Sequence, residues 1–354
     1  MINISFPDGA VRQYENGISA LGIAQSISEG LARKVLAAEI NGQVWDLSRP
    51  INEDAKIKLL TWDDNGAKST FWHSSAHLMA EAIESMFDGV KFWVGPPVEN
   101  GFYYDVDLGG QTITEEDLRK LEVKMAELAK QNNVYIRKPV AKAEAVKYFE
   151  EKGDEYKLDL LQNLNDGEIT FYTQGNFTDL CRGPHIPNTS FIKAIKLTNI
   201  AGAYWKGDER NKQLTRIYGV TFPSQKQLDE YLQLLEEAKK RDHRKLGKEL
   251  GIFTMDDDVG PGLALWMPNG TVIIEELERL AKETETDAGY KRVVTPHIAK
   301  ENLYITSGHL PYYQDTSSAQ LNILPAHLSS HRSQLLQRVT GFHRAEVQYI
   351  FRGS

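Results

Sequence analysis

The sequence predicts an α+β protein of several domains, and three observations lead there. Apolar residues alternate with period two at Ile2, Ile4 and Phe6, and stripes of period 3.6 run through Leu118–Leu128 and Leu228–Leu235. With 354 residues and 41% hydrophobic content, the chain can fill two or three separate cores. A formal charge of −8 argues against indiscriminate nucleic-acid binding, although a local basic patch could still grip a folded RNA. A single cysteine rules out an internal disulfide and suits a reducing compartment. The opening MINISFPDGAVRQYENG has neither a basic n-region nor a long apolar stretch. Neither export nor membrane insertion is therefore indicated, and a cytoplasmic protein without membrane or DNA partners is expected.

Residues 1–62 read as a small α+β module. Pro7-Asp8-Gly9 turns the first strand toward a second near Val11. A helix follows with Leu21, Ala24, Ile27 and Leu31 on one face. Asn41-Gly42, between Val35–Ile40 and Val44–Leu47, is a strong hairpin signal, and Ile57–Leu60 supplies a last strand. This pattern resembles the ubiquitin-like β-grasp fold of TGS domains, which carries no chemistry by itself. No Gly-x-x-x-x-Gly-Lys-Ser/Thr loop is present, so the GTPase relatives of such domains are excluded.

From residue 63 to 223 the chain carries candidate chemistry. Ser69 or Thr70 is expected to cap a helix running to about Phe87, with Ala76, Ala80, Ile83 and Phe87 as its buried stripe. His73 and His77 are four apart on this helix and fall at the border of that stripe, facing a cleft wall. A second helix, capped by Thr114, shows Leu118, Leu121, Met125 and Leu128 and is expected to cover a sheet. Further on, Cys181-Arg-Gly-Pro-His185 cannot be helical, because Gly183 and Pro184 break it; it belongs on a loop. Together the two motifs offer three imidazoles and the chain's only thiol, a set suited to handling protons or holding a metal ion.

Ser224 with Gln227 three positions on is a capping-box pattern for a helix bearing Leu228, Tyr231, Leu232 and Leu235. The following KKRDHRKLGKEL reads as a solvated helix face or, alternatively, as a contact for RNA phosphates. Residues 270–288 form an apolar-faced helix through Ile273, Ile274, Leu277 and Leu280, and a strand from about Tyr290 leads to Pro296. Composition changes after Asp315, since residues 316–354 contain neither lysine nor aspartate. That tail reads as out-of-frame or rearranged sequence of doubtful fold. His327 and His331 repeat the four-residue spacing, and Arg344 and Glu346 stand alone; no role is assigned to any of them.

The segments SSAHLMAEAI, GPPVENGFYYDVDL, TDLCRGPHIPNT and GAYWKGDERNKQLTRIYGVTF, in this order behind the β-grasp module, resemble the editing domain of threonyl-tRNA synthetases. RDHRKLGKELGIF and GPGLALWMPNGTVIIEELERL are similar to the entry of that family's catalytic domain, and residues 270–296 to its class II motif 1. The resemblance implies a TGS domain over 1–62, an α+β editing domain over 63–223, a connecting helix over 224–245, and the start of an incomplete class II antiparallel-sheet domain over 246–315.

The resemblance also implies a reason for a hydrolytic site. A pocket built for threonine cannot strongly exclude serine, because the missing methyl is worth only about 1–3 kcal/mol, so a second site must hydrolyse the mischarged ester. On the matching positions, His73 would orient or deprotonate the attacking water, and His77 and His185 would shape the water and ribose environment. Lys157 would stabilise charge at the reacting carbonyl, Asp179 would accept from the aminoacyl ammonium, Cys181 would line the pocket, and Tyr104 would help bind substrate. This editing site is expected to be metal-free, with a zinc ion on His73, His77, Cys181 and His185 as the alternative. Full-length relatives are expected to be homodimers that use ATP, magnesium and zinc to join threonine to its tRNA. The expectation for this chain is editing without aminoacylation, its partner being threonine tRNA. The competing class is a TGS-type module that binds RNA or protein without turnover.

Overall fold

The computed structural model describes residues 1–260, 262–294 and 301–308. These divide into two compact units, one over Met1–Glu237 and one from Ala238 onward. The fold is α+β, as the sequence predicts. Among the described residues no helix is long and apolar enough to cross a membrane.

The first unit begins with a five-stranded sheet in the order Val11–Tyr14, Ile2–Ser5, Ala55–Leu60, Ala37–Ile40, Gln43–Trp45. Its central pair, Ile2–Ser5 beside Ala55–Leu60, is parallel, and the other pairs are antiparallel. A parallel pair needs a crossover, and the helix Ala20–Ile27 lies within it. That helix buries Ala20, Ile23 and Ala24 against Ile2, Ile4, Val35, Leu47 and Ile57, which gives a β-grasp core. Asn41 and Gly42 take positive φ values of 49° and 84°, the geometry a two-residue hairpin needs. The helix face differs from expectation, because Ile27 is 38% exposed and Leu31 lies in a separate turn of helix, Glu29–Ala32. Ser28 causes the break: its side chain accepts the Leu31 N–H and restarts the helix.

The same unit continues with the helix Asn65–Met86, whose residues from Ser74 to Ile83 are all buried. It starts earlier than expected, after Asp64, and neither Ser69 nor Thr70 caps it. Thr70 instead donates its hydroxyl to the Gly66 carbonyl one turn back, and the Asp64 carboxylate is spent on Lys58 and the Thr61 N–H. Trp72 and Ser75 pin this helix to Thr221, on an antiparallel sheet ordered Ala194–Tyr204, Gln213–Phe222, Gly101–Asp107, Lys91–Phe92. The helix Glu115–Lys130 is closed by a capping box of Thr114 and Asp117 and buries the four expected residues, Leu118, Leu121, Met125 and Leu128. A second small sheet, Ile136–Pro139, Thr170–Gln174 and Phe177–Leu180, carries the helices Lys142–Lys152 and Glu155–Gln162.

The helix Gln225–Lys240 starts at the Ser224–Gln227 pair and buries Leu228. In the second unit a short helix, His243–Glu249, precedes the hairpin Phe253–Met255/Ala264–Trp266 and the helix Pro268–Asp287. Part of the basic stretch is neutralised locally, since Arg244 pairs with Asp242 at 2.9 Å. The apolar face of Pro268–Asp287 is not a core face among the described residues: Ile273, Leu277 and Leu280 are 43%, 60% and 61% exposed. Of the strand expected from Tyr290, Tyr290 itself makes a single bridge and residues 291–294 have no regular structure. Its continuation to Pro296, like His327, His331, Arg344, Glu346 and the tail, lies outside the described residues.

Candidate active site

All seven side chains singled out in the sequence meet in one place. His73 and His77 project from one face of the helix Asn65–Met86 with ring centroids 5.3 Å apart, as a four-residue spacing dictates. Cys181 and His185 come from the irregular segment that follows the strand Phe177–Leu180. This segment turns back over the helix, so the His185 ring centroid lies 4.4 Å from that of His73 and 4.3 Å from that of His77. One donor atom from each of the four residues lies within 4.8 Å of the others. His77 and His185 are buried, whereas His73 and Cys181 are only half-buried and bring the cluster to the surface.

The turn depends on Gly183, which adopts φ +73° directly against Tyr172. A Cβ there would lie 2.1 Å from the Tyr172 hydroxyl, so no larger residue fits without displacing it. The Gly183–Pro184 bond is cis.

Hydrogen counting fixes the protonation pattern. The Ser74 hydroxyl donates its one hydrogen to the Thr70 carbonyl (2.7 Å) and accepts the Ile186 N–H (3.0 Å). It is also 3.0 Å from His185 Nδ1, and with its hydrogen already committed it must accept there, which places a proton on Nδ1. His185 Nε2 is then an acceptor and faces Cys181 Sγ at 3.3 Å. Burial pushes the Cys181 thiol well above its usual range, so it keeps its hydrogen and can donate it to that nitrogen. His73 Nε2 lies 3.2 Å from the same sulfur. Burial also lowers His73 to about 4 and His77 to about 3, and His185 well below the ordinary value. At neutral pH the cluster is therefore uncharged, three neutral imidazoles and a thiol.

Beside it sits a buried ion pair. Lys157 Nζ lies 2.6 Å from Asp179 Oδ1, with side-chain exposures of 3% and 4%. The Tyr104 hydroxyl donates to the other Asp179 oxygen and lies 3.2 Å from Lys157 Nζ, while His77 Nε2 is 3.7 Å from that oxygen. Burial alone would push the Asp179 carboxyl up, but Lys157, His77 and Tyr104 together hold it below the usual range. Lys157, Asp179 and Tyr104 therefore form one hydrogen-bonded group beside the cluster. In this arrangement the Lys157 ammonium and the Asp179 carboxylate neutralise each other. Tyr104 is 1% exposed with its hydroxyl committed to Asp179, so it supports the pair from the core side.

Several residues of the site carry no recognisable sequence signal. Ser74 lies inside the first motif yet reads as an ordinary helix residue. Tyr135 stacks on His185 at 5.0 Å and 4° and donates to the Ser74 carbonyl at 2.8 Å. Gln174 donates to the His77 carbonyl at 3.0 Å, and Asp46, far upstream, bonds the His185 backbone. A spacing rule could have found Ser74, but only pairing of distant segments reveals the others.

A β-grasp domain is packed in one unit with an α+β domain that gathers three imidazoles and a thiol, and comparison with known proteins shows what each part is similar to. Residues 2–61 match the TGS domain, and residues 169–218 match the threonyl and alanyl tRNA synthetase second additional domain. The chain is 61% identical over 313 residues to a threonine–tRNA ligase of Cytophaga hutchinsonii, covering 88% of this chain and 48% of that protein. It is 58% identical over 323 residues to one of Porphyromonas gingivalis, covering 91% and 50%, and 54% identical over 313 residues to one of Bacteroides fragilis, covering 88% and 48%. The chain thus spans about half the length of the curated relatives it matches. Over that shared half it is similar to threonine–tRNA ligases, and residues 169–218 match the second additional domain of threonyl and alanyl tRNA synthetases.

Proposed function

We propose that this chain hydrolyses the ester linking serine to threonine tRNA, with the cluster of His73, His77, Cys181 and His185 as its active site. One observation carries the reading: two segments about a hundred residues apart converge so that one donor atom of each of His73, His77, Cys181 and His185 lies within 4.8 Å of the others, with His73 at the surface edge. In the proposed reaction a water oxygen attacks the ester carbonyl carbon while His73 Nε2 orients it and accepts its proton. The proton passes to the ribose oxygen as the carbon–oxygen bond breaks, giving free serine and an intact tRNA 3′ end. His77 and His185 shape the floor of the site, Cys181 holds His185 and His73 in register, and the Lys157–Asp179 pair with Tyr104 forms its polar wall. We further propose the domain limits 1–62, 63–223, 224–245, 246–315 and 316–354. Ligation of threonine is named for the relatives; for this chain the hydrolytic half is the activity proposed.

The same four donors also suit a zinc ion. His185 and His73 each place a second contact outward, to Ser74 and the Pro184 carbonyl, as zinc-bound imidazoles do. Zinc would supply fixed geometry rather than hydroxide, because four protein donors fill its tetrahedral shell and leave no position for water. The hydrogen-bond chain from Thr70 through Ser74 and His185 to Cys181 closes without an ion, which favours the metal-free reading.

The test is release of serine from serine-charged threonine tRNA by the purified chain, with His73→Ala as control. Hydrolysis lost in the variant supports the assignment. A parent chain that slows ester loss or leaves it unchanged is instead a binding module.

A further inference from the structure

A buried carboxylate of the N-terminal sheet domain lies against this site, and the hydrolytic reading leaves it without a task. Asp46 follows the strand Gln43–Trp45 and is 8% exposed. One of its oxygens accepts the His185 backbone N–H at 2.7 Å, and the other accepts the Tyr172 hydroxyl at 2.7 Å. A buried carboxylate is costly unless its oxygens are satisfied, and both partners here belong to the second domain rather than to the domain of Asp46 itself. Tyr172 in turn is the side chain against which Gly183 packs, and its ring lies 4.5 Å from that of His185.

Residues 181–186 form no regular secondary structure, so the segment carrying the thiol and the third imidazole is held by point contacts. Its backbone is held by the Thr170 hydroxyl donating to the Cys181 carbonyl and by four N–H bonds: Cys181 N–H to the Thr170 carbonyl (3.1 Å), Gly183 N–H to Cys181 Sγ (3.2 Å), Ile186 N–H to Ser74 Oγ (3.0 Å) and His185 N–H to Asp46. The last is the shortest of these N–H bonds and runs to a carboxylate, and hydrogen bonds to carboxylates are roughly twice as strong as those between neutral groups.

We propose that Asp46 is a positioning residue of the hydrolytic site. From the β-grasp domain it fixes the backbone of His185 and the Tyr172 hydroxyl, and through them the placement of the Cys181 thiol and the His185 ring. The β-grasp domain thereby becomes a structural part of the hydrolase rather than a separate binding element. The inference rests on the hydrolytic reading above, and its test separates the two.

The full chain is compared with Asp46→Ala and Asp46→Asn, measuring kcat and KM for serine release, thermal unfolding, and the rate at which iodoacetamide alkylates Cys181 at one pH. Because Cys181 is the only cysteine, alkylation reports this segment alone. For Asp46→Ala, kcat falls about tenfold or more with KM within about twofold, and alkylation accelerates about tenfold, as expected for loss of a charge-assisted anchor. Asp46→Asn, which keeps one acceptor oxygen, is intermediate in both. Unchanged kcat and alkylation in folded Asp46→Ala overturn the proposal, and so does a loss of activity that merely tracks the unfolded fraction. If Asp46→Ala fails to fold, Asp46→Asn and Tyr172→Phe carry the same two readouts, and the same pattern or its absence decides. If the parent chain does not hydrolyse the ester, the hydrolytic reading fails by itself. Faster alkylation in the variants then still upholds Asp46 as the anchor of this segment, and unchanged alkylation refutes it.

Discussion

Breaking the Lys157–Asp179 pair from one side should cost far more than removing both charges together. The two groups are 2.6 Å apart and almost wholly buried. At an effective dielectric constant of about 20, charges at that separation attract by about 6 kcal/mol, much of which repays their desolvation. Lys157→Met leaves the Asp179 carboxylate with Tyr104 and the more distant His77, and Asp179→Asn leaves the buried ammonium without its directly paired carboxylate, Asp154 remaining as a weaker electrostatic partner. Each single variant should lose about 3–5 kcal/mol, since a lone buried charge remains. For a unit of this size that corresponds to a fall of roughly 6–20 °C in Tm. The double variant should be no less stable than the worse single one, so a double-mutant cycle from urea melts followed by tryptophan fluorescence should give a coupling of about 3 kcal/mol or more. Losses that add within about 0.5 kcal/mol would refute the argument, because they would mean that each charge is solvated independently.

Three other outcomes follow from the same geometry. With His73 held near 4 and His77 near 3, serine release should stay flat from pH 8 down to about 5.5 and fall only as pH approaches 4; a midpoint near 6.5 would contradict neutral, buried rings. Stability should shift in the same sense, because between those values and 6.5 the unfolded chain binds more protons, so melting temperature should drop as pH falls below 6.5. Ser74→Ala should cost about 1–3 kcal/mol by stranding His185 Nδ1–H and the Ile186 N–H, and should reduce kcat by freeing the His185 tautomer; a fully active variant of parental stability would sink the hydrogen count. Metal analysis of the purified chain should find no stoichiometric zinc, and zinc that disappears in His77→Ala would decide for the alternative reading.

Much of the architecture was readable from local patterns. Asn41-Gly42 announces its hairpin because a two-residue turn demands positive φ at both positions, and Thr114 with Asp117 forms the cap of a helix whose four apolar positions are all buried. Patterns failed where a side chain had a competing partner: Ser28 splits a helix that periodicity draws as one, and Asp64 gives its carboxylate to Lys58 and the Thr61 N–H. The apolar stripe of Pro268–Asp287 predicted burial, yet among the described residues Leu277 and Leu280 are exposed, because a stripe states what a helix can bury and not what packs on it.

For the site, the sequence by itself determined the chemistry on offer. The spacing of His73 and His77 puts two imidazoles on one helix face, and Gly183-Pro184 forces Cys181 and His185 out of a helix. Only the tertiary structure decided what that chemistry could be. Residues 169–218, which match the synthetase second additional domain, contain Asp179, Cys181 and His185 but not the histidine helix. The two halves meet because Trp72 and Ser75 fasten that helix to the strand Gln213–Phe222 and Asp46 reaches across from the first domain. The same packing gathers Lys157, Asp179 and Tyr104 into one buried, mutually bonded group, which their spacing in the chain does not show. The physical reason is one of range: turn and helix preferences act within a few residues, whereas burial, protonation state and the pairing of charges depend on neighbours that chain order does not reveal.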